Sequence, residues 1–88
     1  MEKIWIVTQE SNVNGEILFN SVPCASKEAA IKVMHDEITT LLNESHFVAH
    51  IDRPEDFVVE KSETSYYIED MCDDYYEDIR IEQKVIQY

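Results

Sequence analysis

Residues 26–43 decide the fold: Ser26-Lys27-Glu28-Ala29-Ala30-Ile31-Lys32-Val33-Met34-His35-Asp36-Glu37-Ile38-Thr39-Thr40-Leu41-Leu42-Asn43. Ala30, Ile31, Met34, Ile38, Leu41 and Leu42 recur at helical spacing, and Lys32, Asp36, Thr39 and Asn43 lie opposite. Ser26 is placed to cap the helix, since its hydroxyl can accept from a free amide of the first turn. Glu28 in that turn suits the helix dipole. The pattern predicts a helix from Lys27 to about Asn43 with one apolar stripe. That stripe must be buried against another layer, and the flanking segments supply a sheet.

Upstream, Ile4-Trp5-Ile6-Val7-Thr8 is β-branched and aromatic and too short for a helix. The polar stretch from Glu10 ends in Asn14-Gly15, which suits a tight hairpin turn. Glu16-Ile17-Leu18-Phe19-Asn20 is the second strand, and Pro23 is expected to end it because it has no N–H. Downstream, His46 to Asp56 is a connection in which Phe47 or Ile51 should tuck under the helix end. Strands then follow at Phe57–Glu60, Ser65–Glu69 and Tyr75 to about Ile86, with a polar turn over Asp70–Asp74. The last strand alternates cleanly. Tyr75, Ile79, Ile81 and Val85 fall on one face and Asp78, Arg80, Glu82 and Lys84 on the other.

The expected fold is α+β. It has two layers, an antiparallel sheet of four to five strands with one helix packed on one face, in the order β-β-α-β-β-β. Eighty-eight residues hold one domain, 1–88. Ile4, Ile6, Ile17, Phe19, Val59, Ile68, Ile79 and Ile81 are the expected core. Trp5, Val7, Leu18, Val58 and one tyrosine from each of the pairs Tyr66-Tyr67 and Tyr75-Tyr76 are expected on the sheet face away from the helix.

Net charge is −12, from 19 acids against 7 bases. Such a balance opposes direct binding to nucleic acid or to an anionic membrane. No apolar run is longer than Ile4–Val7, and Met1-Glu2-Lys3 opens no export signal, so a cytoplasmic protein is expected. Cys24 and Cys72 are then expected as free thiols. No CxxC or Cys/His spacing suggests zinc, and the acids after Glu69 lack the register of a calcium loop. No metal or cofactor is expected.

Catalysis finds no constellation either. His46 and His50 lie four apart but beyond the helix, and Cys72 sits among acids that disfavour its thiolate. A single Gly cannot build a phosphate loop. The chain reads as a non-enzyme.

The charge is concentrated. Residues 52–82 hold 12 acids and 3 bases, which is −9 in 31 residues. Such a surface attracts basic partners at long range. Carboxylates on one strand face recur about every 6.6–6.8 Å and can stand in for phosphates. In size and charge alone, the chain resembles the small acidic proteins of phages and mobile elements that inhibit nucleases. The expected function is an inhibitor or regulator docking a basic nucleic-acid-binding protein. Glu69, Asp70, Asp73, Asp74, Glu77 and Asp78 would supply the field, with Tyr67 or Tyr76 as anchor. The alternative is a homodimer or larger homo-oligomer using the exposed sheet face. The plain reading of the acids is a solvated surface that keeps a small protein soluble.

Overall fold

A computed structural model describes residues 2–44 and 46–86, the side chains of Glu2, Val48, His50 and Ile86 excepted. Five strands form one antiparallel sheet: β1 (Glu2–Val13), β2 (Glu16–Cys24), β3 (Phe57–Ser62), β4 (Ser65–Asp70) and β5 (Tyr75–Ile86). Their spatial order is β2-β1-β5-β4-β3. The helix α1 (Lys27–Glu44) follows β2, and two 3-10 turns, His46–Ile51 and Pro54–Asp56, lead to β3. The chain is thus an α+β fold with β5 at the centre of the sheet.

The helix forms as its sequence predicts. The Ala29 N–H donates to Ser26 Oγ at 3.1 Å, which is the cap. Ala30, Met34 and Leu41 are buried on the sheet, and Val33, Ile38 and Leu42 pack beside them. Phe47 tucks under the helix end at 2% exposure, whereas Ile51 is left in solvent. The rest of the core is Val7, Cys24, Phe57, Tyr66, Ile68 and Ile79, with Trp5, Val22, Tyr75 and Ile81 packed against it. Both cysteines are free thiols.

Three expectations are corrected. First, the segment from Glu10 to Val13 is strand, not turn. Only Asn14 and Gly15 turn, with φ of 53° and 92°. These positive angles belong to the type I′ turn that joins hairpin strands in two residues. Polar residues stay extended there because β1 is paired on both sides, to β2 and to β5.

Second, Pro23 does not end β2, which runs on to Cys24. β2 is an edge strand, and a proline there can point its ring nitrogen outward without losing a ladder bond.

Third, the first hairpin is turned over. Val7 lies opposite Ile81 and Gln9 opposite Ile79. Trp5, Val7, Val22 and Cys24 therefore face the helix. Ile4, Ile6, Ile17 and Phe19 face away, and Phe19 is 75% exposed. Leu18 faces the helix side, beyond the cover of the helix, and is exposed. Val59 shares the face of Ile68 but lies on the other edge strand and is also exposed. Val58 is on the open face as expected.

Candidate partner-binding face

Neighbouring residues of a strand point to opposite sides. Each tyrosine pair is split accordingly. Tyr66 and Tyr75 face the helix and pack in or against the core, while Tyr67 and Tyr76 stand on the open face. Their rings lie 6.0 Å apart, tilted by 31°.

The strand register arranges the open face in rows. One row runs Phe19, Glu10, Asp78, Tyr67, Glu60 across all five strands. The next runs Ile17, Asn12, Tyr76, Glu69, Val58. Glu82 lies opposite Ile6, one step past the row that holds Arg80. Glu10 and Asp78 are thus directly opposite on adjacent inner strands.

The polar groups on this face are knitted together. Tyr67 donates to Glu69 and Tyr76 donates to Glu10, each at 2.9 Å. Arg80 donates to both oxygens of Asp78, at 3.1 and 2.9 Å. Desolvation, the hydrogen bond to Glu69 and nearby carboxylates push the Tyr67 hydroxyl up to about 12. The hydrogen bond to Glu10 does the same for Tyr76 in direction. Both phenols stay neutral donors, oriented by the acids around them. Two depressions flank Arg80. One of about 520 Å³ is lined by Glu60, Tyr67 and Asp78 among others. The other, about 240 Å³, is lined by Glu10, Phe19, Asp78 and Glu82.

Of the residues expected to act together, Glu69, Asp78, Tyr67 and Tyr76 share this face. The remaining four do not join them. Asp73 and Asp74 lie in the exposed turn between β4 and β5. Asp74 accepts from Asn12 at 2.7 Å and so ties that turn to the first hairpin.

Asp70 points to the other side and is 2% exposed. It meets His46 Nε2 at 2.7 Å, accepts from the Cys72 N–H at 2.9 Å, and lies 3.8 Å from Arg53. Burial pushes its carboxyl up, but the bonds from His46 and the turn amides outweigh this and hold it below the usual range. The His46 ring stacks on Tyr75 at 3.9 Å. His46, Asp70 and Asp73 bring one potential ligand atom each within 4.8 Å of one another. The first two are already bonded together beside Arg53, which is the geometry of an ion-paired clasp on the turn. The His50 side chain and Tyr88 lie outside the described residues.

Glu77 also faces the helix, at 8% exposure. Gln9 donates to its Oε2 at 3.0 Å, and Ser11 donates to the same atom. With Asp36, Glu37 and Glu44 it lines a cavity of about 580 Å³ between helix and sheet. Glu37 Oε2 is buried there without a hydrogen-bond partner. Desolvation first, and then the charge of Glu77, push the Glu37 carboxyl up.

Glu10, Glu60 and Glu82 are open-face acids that sequence reasoning left out of the site. The signal for Glu10 was present. Counting by two from Ile4 through Ile6 and Thr8 reaches Glu10 and Asn12 just before Asn14-Gly15. Among the described residues no helix is long and apolar enough to cross a membrane. Comparison of the chain with protein-family models, curated proteins and solved structures finds no match.

Proposed function

We propose that the chain is a non-enzymatic acidic interaction protein whose open sheet face docks a basic, nucleic-acid-binding protein and inhibits or regulates it. One observation carries this reading: Glu10 and Asp78 sit directly opposite each other on a face that no other layer covers among the described residues. Like charges in that position repel; Tyr76 holds Glu10 and Arg80 holds Asp78, but a single cation offsets the two acids. A basic partner relieves the repulsion and gains from it.

Glu60, Glu69 and Glu82 extend the field, and Lys84 lies at its far end opposite Ile4. Arg80 is occupied by Asp78. Of the two depressions beside Arg80, the one with Glu10, Asp78 and Glu82 in its wall suits a lysine or arginine side chain from a partner, whereas the larger one balances Glu60 and Asp78 with Lys61 and Arg80. Tyr67 and Tyr76, with hydroxyls fixed by Glu69 and Glu10, offer flat surfaces on which a guanidinium can stack. The non-enzymatic part of the reading rests on Cys72, whose thiol is pushed up by desolvation and by the carboxylates of Asp56 and Asp70. That is the wrong direction for a nucleophile.

The test compares two variants of equal charge. One carries Glu10→Gln, Glu69→Gln, Asp78→Asn and Glu82→Gln on the open face. The other removes the same charge from the helix through Glu28→Gln, Asp36→Asn, Glu37→Gln and Glu44→Gln. Each is immobilised and exposed to a nuclease-treated cell lysate, then eluted with salt. A basic protein held by the parent and the helix variant, lost by the face variant and displaced by free DNA is the expected result. Equal retention by both variants, or loss from both, would sink the open-face assignment.

A further inference from the structure

The two edges of the sheet differ in a way that the docking reading does not explain. The β3 edge is short and carries Glu60 and Lys61. Charged residues on a short strand are the usual protection against pairing with another chain. The β2 edge is longer, and between Glu16 at its start and Pro23 near its end it has no such protection. Its run Ile17-Leu18-Phe19-Asn20-Ser21-Val22 is uncharged in a molecule of net charge −12. Ile17 to Ser21 are all exposed.

The backbone direction along this edge follows from the pairing. Asn14 N–H donates to the Asp74 carbonyl at 2.9 Å, so the even-numbered residues of β1 turn their backbone groups toward β5. Its odd-numbered residues then face β2, and their partners there are even-numbered, Leu18 opposite Ser11 and Asn20 opposite Gln9. Ile17, Phe19 and Ser21 therefore aim their N–H and C=O groups outward. Pro23, the one residue of β2 without an N–H, falls in the same outward set. Phe19, the most exposed large apolar residue among the described residues, stands at the middle of these outward groups.

We propose that β2 pairs antiparallel with β2 of a second copy of this chain, about a twofold axis at Phe19, to make one continuous sheet. The occupant is a second copy because the segment complements itself in that register. Phe19 meets its twin, Ile17 meets Ser21 and Leu18 meets Asn20, so a large side chain faces a small or polar one on either side of the axis. Glu16 meets Val22, so no like charges are brought opposite each other. The segment Ile17–Val22, with no charge, also has nothing with which to select a charged partner. The symmetry is that of a closed twofold dimer, in which one patch serves both copies.

The dimer has a salt response opposite to that of the docking reading. The two molecules carry the same strong charge, so association tightens as salt screens it. Docking of a basic partner weakens under the same change.

Sedimentation of the full chain across a concentration series, at low and high salt, provides the test. The expected result is a monomer–dimer equilibrium that shifts toward dimer in high salt. Phe19→Lys places two cations at the axis and should abolish the dimer. Val59→Lys, on the opposite edge, should leave it intact. Because both side chains are exposed, circular dichroism should show both variants folded. Amide exchange supplies an independent reading. The Ile17, Phe19 and Ser21 amides should gain protection as concentration rises, and they should not in Phe19→Lys. A chain that stays monomeric at every concentration and salt overturns the proposal. So does a dimer that Phe19→Lys leaves unchanged.

Discussion

Two carboxylates on the helix side of the sheet show how the same group can help or hinder folding. Asp70 is buried but accepts from His46 and the Cys72 amide, with the Arg53 guanidinium 3.8 Å away. Its folded pKa is lowered, so its contribution to stability is complete above its ordinary value of 3.8 and is lost as pH falls through the depressed folded value. Glu37 has a buried oxygen with no partner and a negative neighbour in Glu77. Its folded pKa is raised, so it opposes folding at neutral pH. That cost fades as pH falls through the raised value toward the ordinary 4.5. Denaturation curves of Asp70→Asn and Glu37→Gln over a pH series check both signs. At neutral pH, Asp70→Asn should lose on the order of 1.5–3 kcal/mol, the usual worth of a hydrogen bond to a charged group. Glu37→Gln should be more stable than the parent there. Both differences should close on acidification.

At the scale of elements, the helix is held at both ends by single side chains. Ser26 caps its start, and Phe47 fills the space under its end. Ser26→Ala leaves the Ala29 amide without its side-chain acceptor and should cost about 0.5–2 kcal/mol in urea denaturation. The midpoint should move while the slope stays the same, because the surface exposed on unfolding is unchanged. The sheet is held differently. β1 is polar from Thr8 to Asn12, yet it stays extended because it lies between β2 and β5. Its side chains face in both directions, with Gln9 and Ser11 serving Glu77, and Glu10 serving Tyr76. The hairpin turn is bound to the opposite turn through Asn12, Asn14 and Asp74.

The whole molecule carries −12 with few internal cations to offset it. Lys27–Glu63, Arg53–Asp56 and Arg80–Asp78 are partly exposed pairs, and such pairs contribute little. Self-repulsion therefore outweighs them, and salt that screens both should stabilise the fold. The melting temperature of the Phe19→Lys variant, chosen to remove dimerisation, should rise from low salt to physiological ionic strength, where the Debye length is about 8 Å. A fall would mean that the internal ion pairs dominate. In the proposed docking, the same field would draw a basic partner at long range toward the open sheet face, where the acids stand beside Tyr67 and Tyr76.

Strong local signals were legible in the chain by itself. The period of Ala30, Met34 and Leu41 and the Ser26 cap defined the helix, and the alternation after Tyr75 defined β5. Asn14-Gly15 marked the hairpin, and each tyrosine pair announced one inward and one outward ring. These follow from backbone geometry, which repeats every 3.6 or 2 residues wherever the chain runs. The side to which Ile4, Ile6, Ile17 and Phe19 point was not legible, because both faces of that hairpin are apolar. Only the pairing of β1 with β5, which sets Val7 opposite Ile81, chose between them. The pleat separates acids adjacent in the sequence, and the same long-range pairing decided which of them faces out. It put Glu69 and Asp78 on the open face and Asp70 and Glu77 under the helix, and it brought Glu10 from the far end of the chain to face Asp78. Charge content is a property of sequence, but charge geometry depends on register, and register is a contact between residues that the chain keeps far apart.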